Sequence, residues 1–225
     1  MTELRTPRVA RRQDYSAATR RDLLGAAERL FTEQGYAATS LDAIVADASV
    51  TKGALYHHFS SKQAVFEAVF TQIDEESARL IHRSVDAEED PWAQAGAGLR
   101  VFLQTVRDPG YRRIVVQDGP AVLSPERLRE EARPTFALVE GILRNILGSG
   151  SWEVDDEVLR TFARLFFGAL NTAGAGVATS EHPETDAARA EQVIGLMLAS
   201  IRQLVESGAP LSEITRTVLP RPPSR

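Results

Sequence analysis

Residues 39–62 read TSLDAIVADASVTKGALYHHFSSK. Two short helical patterns stand here with a tight turn between them. Ser40 suits the N-cap of the first, because its hydroxyl accepts from an amide two or three residues on that has no helical partner. Leu41, Ile44, Val45 and Ala48 then recur at i, i+3, i+4 and i+7, the spacing of one apolar helix face. Ala48-Ser49-Val50 interrupts the pattern. Thr51 suits the cap of a second helix, with Leu55 and Phe59 four apart on its inner side. Lys52, Gly53, Tyr56 and His57 are left facing outward. A helix of about seven residues is not stable alone in water, so both must pack on something larger. A helix-turn-helix that offers its second helix to the DNA major groove satisfies this arrangement. Lys52 reaches a base edge or a phosphate, and Gly53 has no side chain to hold the backbone away from DNA. Tyr56 and His58 have donors for phosphate oxygens. Lys62 opens the next helix, where amides and positive charge both favour a phosphate.

The run Thr39-Ser40, Ile44, Ala48 through Phe59 and Ser61-Lys62 resembles the N-terminal DNA-binding domain of TetR-family transcriptional regulators, with a looser match over residues 15–70. The Lys-Gly-Ala-Leu-Tyr-His-His-Phe run is the specific part. The resemblance implies an all-α fold: a three-helix N-terminal helix-turn-helix domain, then a larger helical domain that binds an effector and dimerises. It implies DNA contacts from Thr39, Ser40, Thr51, Lys52, Gly53, Tyr56, His57, His58 and Lys62, with Thr39 and Ser40 bonding phosphates. One departure is Ser49, where the family usually has glycine. Serine tolerates a left-handed backbone less well, so the turn is expected to be strained or reshaped.

Charge agrees in sign. Residues 1–62 carry nine Lys and Arg against seven Asp and Glu, while the whole chain is −5. The chain has only two lysines, Lys52 and Lys62, and both fall on the expected DNA face. Of the 225 residues, 43% are hydrophobic and 25% charged, the balance of a soluble globular protein. No cysteine is present, which excludes disulfides and thiolate metal sites and is compatible with a cytoplasmic location. No apolar run approaches membrane-spanning length, and the basic N-terminus lacks the apolar stretch of a secretory signal.

Along the chain, residues 1–14 read as a flexible basic arm whose Arg8, Arg11 and Arg12 are placed for backbone or minor-groove contact. Residues 15–62 form the helix-turn-helix domain. Its first helix is capped at Ser16 or Thr19, buries Leu23, Ala26, Ala27, Leu30 and Phe31, and ends at Gly35. Residues 63–210 form the larger effector-binding and dimerisation domain, and 211–225 a Pro/Arg tail. Ser60-Ser61 caps a long helix to about Val85, which by family resemblance is the lever between ligand and DNA. Asp90-Pro91 starts a helix. Tyr111 to Gln117 is a short apolar helix ended by Asp118-Gly119-Pro120. Ser124-Pro125-Glu126 starts another that runs to Leu147, with Pro134 inside it as a bend. Two closing helices, 155–179 and 185–207, are apolar on more than one face and carry Gly168, Ala169, Ala173, Gly195 and Ala199. Such helices are buried on two sides. One side is their own domain, and the family resemblance makes the other a homodimer interface whose two-fold symmetry matches a palindromic operator.

No catalytic set emerges. The four histidines show no metal-ligand spacing, and no glycine-rich phosphate loop follows a strand. Asp155-Asp156 sits at a helix start, where the helix dipole favours it. The expectation is therefore a transcription factor, not an enzyme, with no catalytic residues, metal or cofactor. Its partners are double-stranded operator DNA, a second copy of the chain and a small-molecule effector, and no membrane. Candidates to line the effector site are Trp92, Phe102, Tyr111, Gln117, Phe136, Phe166 and Asn171. The polar members, with Asp118, either face a ligand or serve as helix caps and interface bonds. The alternative is an effector-independent DNA-binding regulator whose larger domain binds a protein partner.

Overall fold

The computed structural model describes residues 7–129, 133–150, 152, 154–210 and 213, and every regular element among them is helical. In chain order these are α1 (Pro7–Ala38), α2 (Leu41–Asp47), α3 (Lys52–His58), α4 (Lys62–Asp86) and α5 (Pro91–Thr105). A π-helical segment (Tyr111–Asp118) leads into α6 (Gly119–Val122), followed by α7 (Pro134–Gly148), α8 (Asp156–Thr179) and α9 (Pro183–Glu206). Packing divides the chain into two units. The first takes the chain through Glu75 together with Asp108–Arg127; the second takes Glu76–Arg107 and the chain from Leu128 onward. The expected division at residue 62 follows the helix-turn-helix pattern, whereas packing follows the buried stripe of α4 and adds a segment distant in sequence.

In the first unit, α1 buries Leu23, Leu24, Ala26, Ala27 and Phe31. α2 and α3 each contribute one side chain with no exposed surface, Ile44 and Leu55. Burying such a side chain contributes roughly 1.5–3 kcal/mol, which is what holds helices too short to stand alone. Val65, Phe66, Val69 and Phe70 of α4 close the core. Phe31 and Phe66 meet edge to face at 5.2 Å, and Tyr36 meets Phe66 at 5.1 Å. Tyr111, Ile114 and Val115 of the π-helical segment are buried as well.

α1 begins at Pro7, upstream of the expected cap at Ser16 or Thr19. Proline is favoured at the first helical position, and Ala10, Arg11, Arg12 and Gln13 propagate a helix without needing an apolar stripe. The expected arm therefore lies partly in α1; its first six residues, and the side chains of Arg8, Arg11 and Arg12, lie outside the described residues. So does nearly all of the expected 211–225 tail.

In the second unit, Phe136, Leu143, Ile146 and Leu147 of α7 pack with Leu159, Ala163 and Phe167 of α8. Phe136 and Phe167 meet edge to face at 5.5 Å. Asp90 caps α5 and Asp155 caps α8 through their carboxylates, as expected. Pro134 does not bend a helix that began at Ser124; it starts α7. Arg133 before it is extended (φ −93°, ψ 133°), the conformation that a following proline imposes. The missing proline amide is harmless at the first helical position.

Candidate nucleic-acid interface

Each short helix is capped by the residue its sequence offers. Ser40 Oγ accepts from the Ala43 amide at 3.1 Å, and Thr51 Oγ1 accepts from the Ala54 amide at 3.2 Å. Between them the amides of Ser49 and Val50 donate to the carbonyls of Ala46 and Val45, both at 3.1 Å. This paired closure is a Schellman motif, which needs a left-handed residue just beyond the C-cap. Ser49 fills that place with φ 55°. The turn keeps the usual geometry and strains the serine.

Lys52, Gly53, Tyr56 and His57 are exposed on α3, as the sequence places them. A Cβ built on Gly53 would meet only Thr51 Oγ1, at 3.9 Å, so packing within the chain does not require glycine there. Lys52 Nζ lies 2.8 Å from Oδ1 of Asp42 on α2. His58 is half-buried beside His57 and Phe59. Its partial burial, then the neighbouring His57 and Arg20, hold its imidazole below the ordinary histidine range.

Two residues expected on phosphates bond to carbonyls of the chain itself. Thr39 is 2% exposed, and its hydroxyl donates to the carbonyls of Gly35 (2.8 Å) and Leu30 (3.2 Å). Lys62 Nζ donates to the carbonyls of Tyr36 (2.7 Å) and Thr39 (2.9 Å) and lies 4.3 Å from the Tyr36 ring centre. Both close the end of α1, whose last carbonyls have no helical partners. A cation is favoured there by the helix dipole. Sequence spacing shows Lys62 at the start of α4 but not that α1 ends beside it.

The segment Asp108–Arg127 is the part of this unit that sequence reasoning missed. Asp118 Oδ2 accepts from the Tyr36 amide at 2.8 Å and pairs with Arg113 Nε at 3.2 Å. The Arg113 guanidinium lies over Gly35, where a Cβ would stand 1.7 Å from it. Gly35 has φ 77°, so its backbone requires glycine, and a side chain there would also displace the Arg113 guanidinium. Asp118 makes no capping bond to α6; its carboxylate is taken up by the Tyr36 amide and Arg113. An aspartate ending an apolar run was the available signal; its partner, 82 residues away, has no mark in the sequence.

The seven effector candidates are divided between the two units. Tyr111 and Gln117 belong to the first unit, the tyrosine buried and the glutamine exposed. Phe136 is core of the second unit, with Trp92 and Phe166 packed against that core. Phe102 lies where Gly174 has no side chain, and Asn171 is half-buried on α8. Among the described residues no group of three or more His, Cys, Asp or Glu is placed to hold a metal ion. No helix among them is long and apolar enough to cross a membrane.

An all-helical chain with a capped helix-turn-helix and an exposed second helix is a DNA-binding regulator by class. The chain belongs to the TetR family of bacterial transcriptional regulators. Residues 23–69 match the family model described as bacterial regulatory proteins, tetR family, and residues 92–201 match the tetracyclin repressor-like C-terminal domain. A solved TetR-family transcriptional regulator from Pectobacterium atrosepticum is similar in fold, with a TM-score of 0.69 and 30% identity. That match covers 88% of this chain and 97% of the other. The nucleoid occlusion factor SlmA of Vibrio cholerae is 31% identical over 141 residues, 59% of this chain and 71% of that protein. The HTH-type transcriptional regulator TtgR of Pseudomonas putida is 35% identical over 108 residues, 47% of this chain and 51% of that protein.

Proposed function

We propose that this regulator is a repressor that two copies of the chain deliver to a palindromic operator and that a small molecule releases. The observation that carries the DNA part is α3. It exposes Lys52, Tyr56 and His57 around a glycine that the chain's own packing does not need. Ser40 and Thr51 add hydroxyls at the rim, and His58 adds a half-buried imidazole. Lys62 and Thr39 support this face by closing α1.

The homodimer is assigned to α8 and α9. Leu165 is 73% exposed and Leu196 68%, with Val193 and Met197 also exposed. Large apolar side chains left in water on two long neighbouring helices mark an interaction surface. A Cβ at Gly176 or Gly195 would meet nothing within the chain, which leaves room for close approach of a partner helix. Within the second unit the effector candidates are Trp92, Phe102, Phe136, Phe166 and Asn171. Release follows from a population shift: an effector that binds better to the form with the wrong spacing of the two α3 helices moves the dimer off two half-sites one DNA turn apart. A protein that works this way meets its operator in the cytoplasm.

A second reading has support in the similarity to SlmA, a nucleoid occlusion factor by name. There the chain binds DNA without an effector, and its larger unit binds a protein partner. Anisotropy titration of DNA upstream of its own gene, at two salt concentrations and with a panel of small aromatic and apolar molecules, separates the two. Selective binding released by one compound supports the effector reading. Selective binding that no compound changes favours the second, and no selectivity even after random-sequence selection refutes both.

A further inference from the structure

A carboxylate stands on the face assigned to DNA. Asp42, on the first turn of α2, lies with its Oδ1 and Oδ2 2.8 Å and 3.0 Å from Nζ of Lys52, which begins α3. The two side chains are 69% and 65% exposed. An ion pair this exposed adds little to stability. A negative charge near phosphates also weakens binding to every DNA sequence. Asp47, by contrast, pairs with Arg29 and ties α2 back to α1. Asp42 faces α3 instead.

Lysine only donates and an ionised carboxylate only accepts. In the major groove guanine presents two acceptors, O6 and N7, and cytosine presents the N4 amino donor. Within one G·C pair O6 and N4 are themselves hydrogen-bonded, about 3 Å apart. A donor and an acceptor held 2.8 Å apart match that spacing. An A·T pair presents the same kind of edge, thymine O4 beside adenine N6, so what sets G·C apart is guanine N7, a second acceptor for the lysine next to O6. The carboxylate needs an amino donor, so it holds the ammonium over a base edge, whereas a lysine without it is free to turn to a phosphate.

We propose that Asp42 and Lys52 act as one reading unit for a G·C pair in each half-site, with Lys52 donating to guanine and Asp42 accepting from cytosine N4. This rests on the assignment of α3 to DNA. The test is selection from a randomised duplex library with the full-length protein, Asp42→Asn and Lys52→Ala, followed by titration of the enriched duplex and a random one. The unaltered protein is expected to enrich one G·C position per half-site. Asp42→Asn is expected to lose that preference by on the order of tenfold while binding random DNA more tightly. Lys52→Ala relaxes the same position. If Asp42→Asn enriches the same bases at every position as the unaltered protein, the carboxylate only tunes affinity and the proposal is overturned. If the unaltered protein enriches nothing, the DNA assignment falls, and this proposal with it.

Discussion

Replacing Lys62 by methionine should lower stability and leave the salt dependence of DNA binding unchanged. The ammonium donates to the carbonyls of Tyr36 and Thr39 and sits above the Tyr36 ring. A hydrogen bond from a charged group contributes roughly 1.5–3 kcal/mol, and a partly exposed cation–π contact about 0.5–1 kcal/mol. The contacts share one ammonium, so they do not add, and water can reach the carbonyls once the ammonium is gone. Methionine keeps the length of the stem. A net loss of about 2 kcal/mol follows, or roughly 4 °C in Tm if the whole chain unfolds together and about twice that if the first unit unfolds alone. Circular dichroism melts would measure it, and operator anisotropy at four salt concentrations would give the salt slope. A variant with unchanged Tm and a slope lower by about one would place Lys62 on a phosphate and refute the reasoning. Lys62→Arg is expected to restore only part of the loss, because a planar fork fits two converging carbonyls poorly.

Gly53→Ala should stabilise α3 by up to about 1 kcal/mol through helix propensity while weakening operator binding; a variant that is both more stable and equally tight would show that DNA does not approach this backbone. Ser49→Gly should raise Tm by about 1–2 °C, since a non-glycine residue in the left-handed region costs roughly 1–2 kcal/mol and glycine returns part of that as unfolded-state entropy. A lower Tm would contradict the strain assigned to φ 55°. His58 has a depressed pKa, so folding disfavours its proton: its contribution to stability is complete above the unfolded value near 6.5 and is lost as pH falls below it. Phosphates favour the imidazolium, so operator affinity should rise on going from pH 7.5 to 6, by at most tenfold per pH unit for one proton. His58→Gln should flatten that dependence, and an unchanged profile would remove His58 from the interface. Leu196→Glu should convert a dimer to a monomer in sedimentation; a variant that stays dimeric would place the interface elsewhere than α8 and α9.

Much of the fold was legible because its signals are local. Ser40, Thr51, Asp90 and Asp155 each stand one residue before an apolar-periodic run, and each accepts the amide three residues on. The outward face of α3 was legible for the same reason: in a short helix, the positions that are not buried are known once Leu55 and Phe59 are. Pro134 was ambiguous, because an apolar pattern continues across it and only the extended conformation of Arg133 shows which side the helix occupies. The effector candidates were the least legible, because aromatic side chains that fill a core and those that line a cavity have the same spacing.

By itself the sequence determined the two short helices with their caps at Ser40 and Thr51, the starts of α5 and α8, the turn at Ser49 and the outward set on α3, all of which depend on interactions within a few residues. Only the tertiary structure decided that Lys62 and Thr39 close α1, that Asp118 holds the Tyr36 amide, and that Asp42 stands beside Lys52. Those are contacts between groups 4 to 82 residues apart in the chain. Except for the threonine reaching back one turn, they exist only because separate helices pack. An unpaired carbonyl or amide at a helix end attracts whatever polar group the packing brings to it, and a linear chain does not say which one that is.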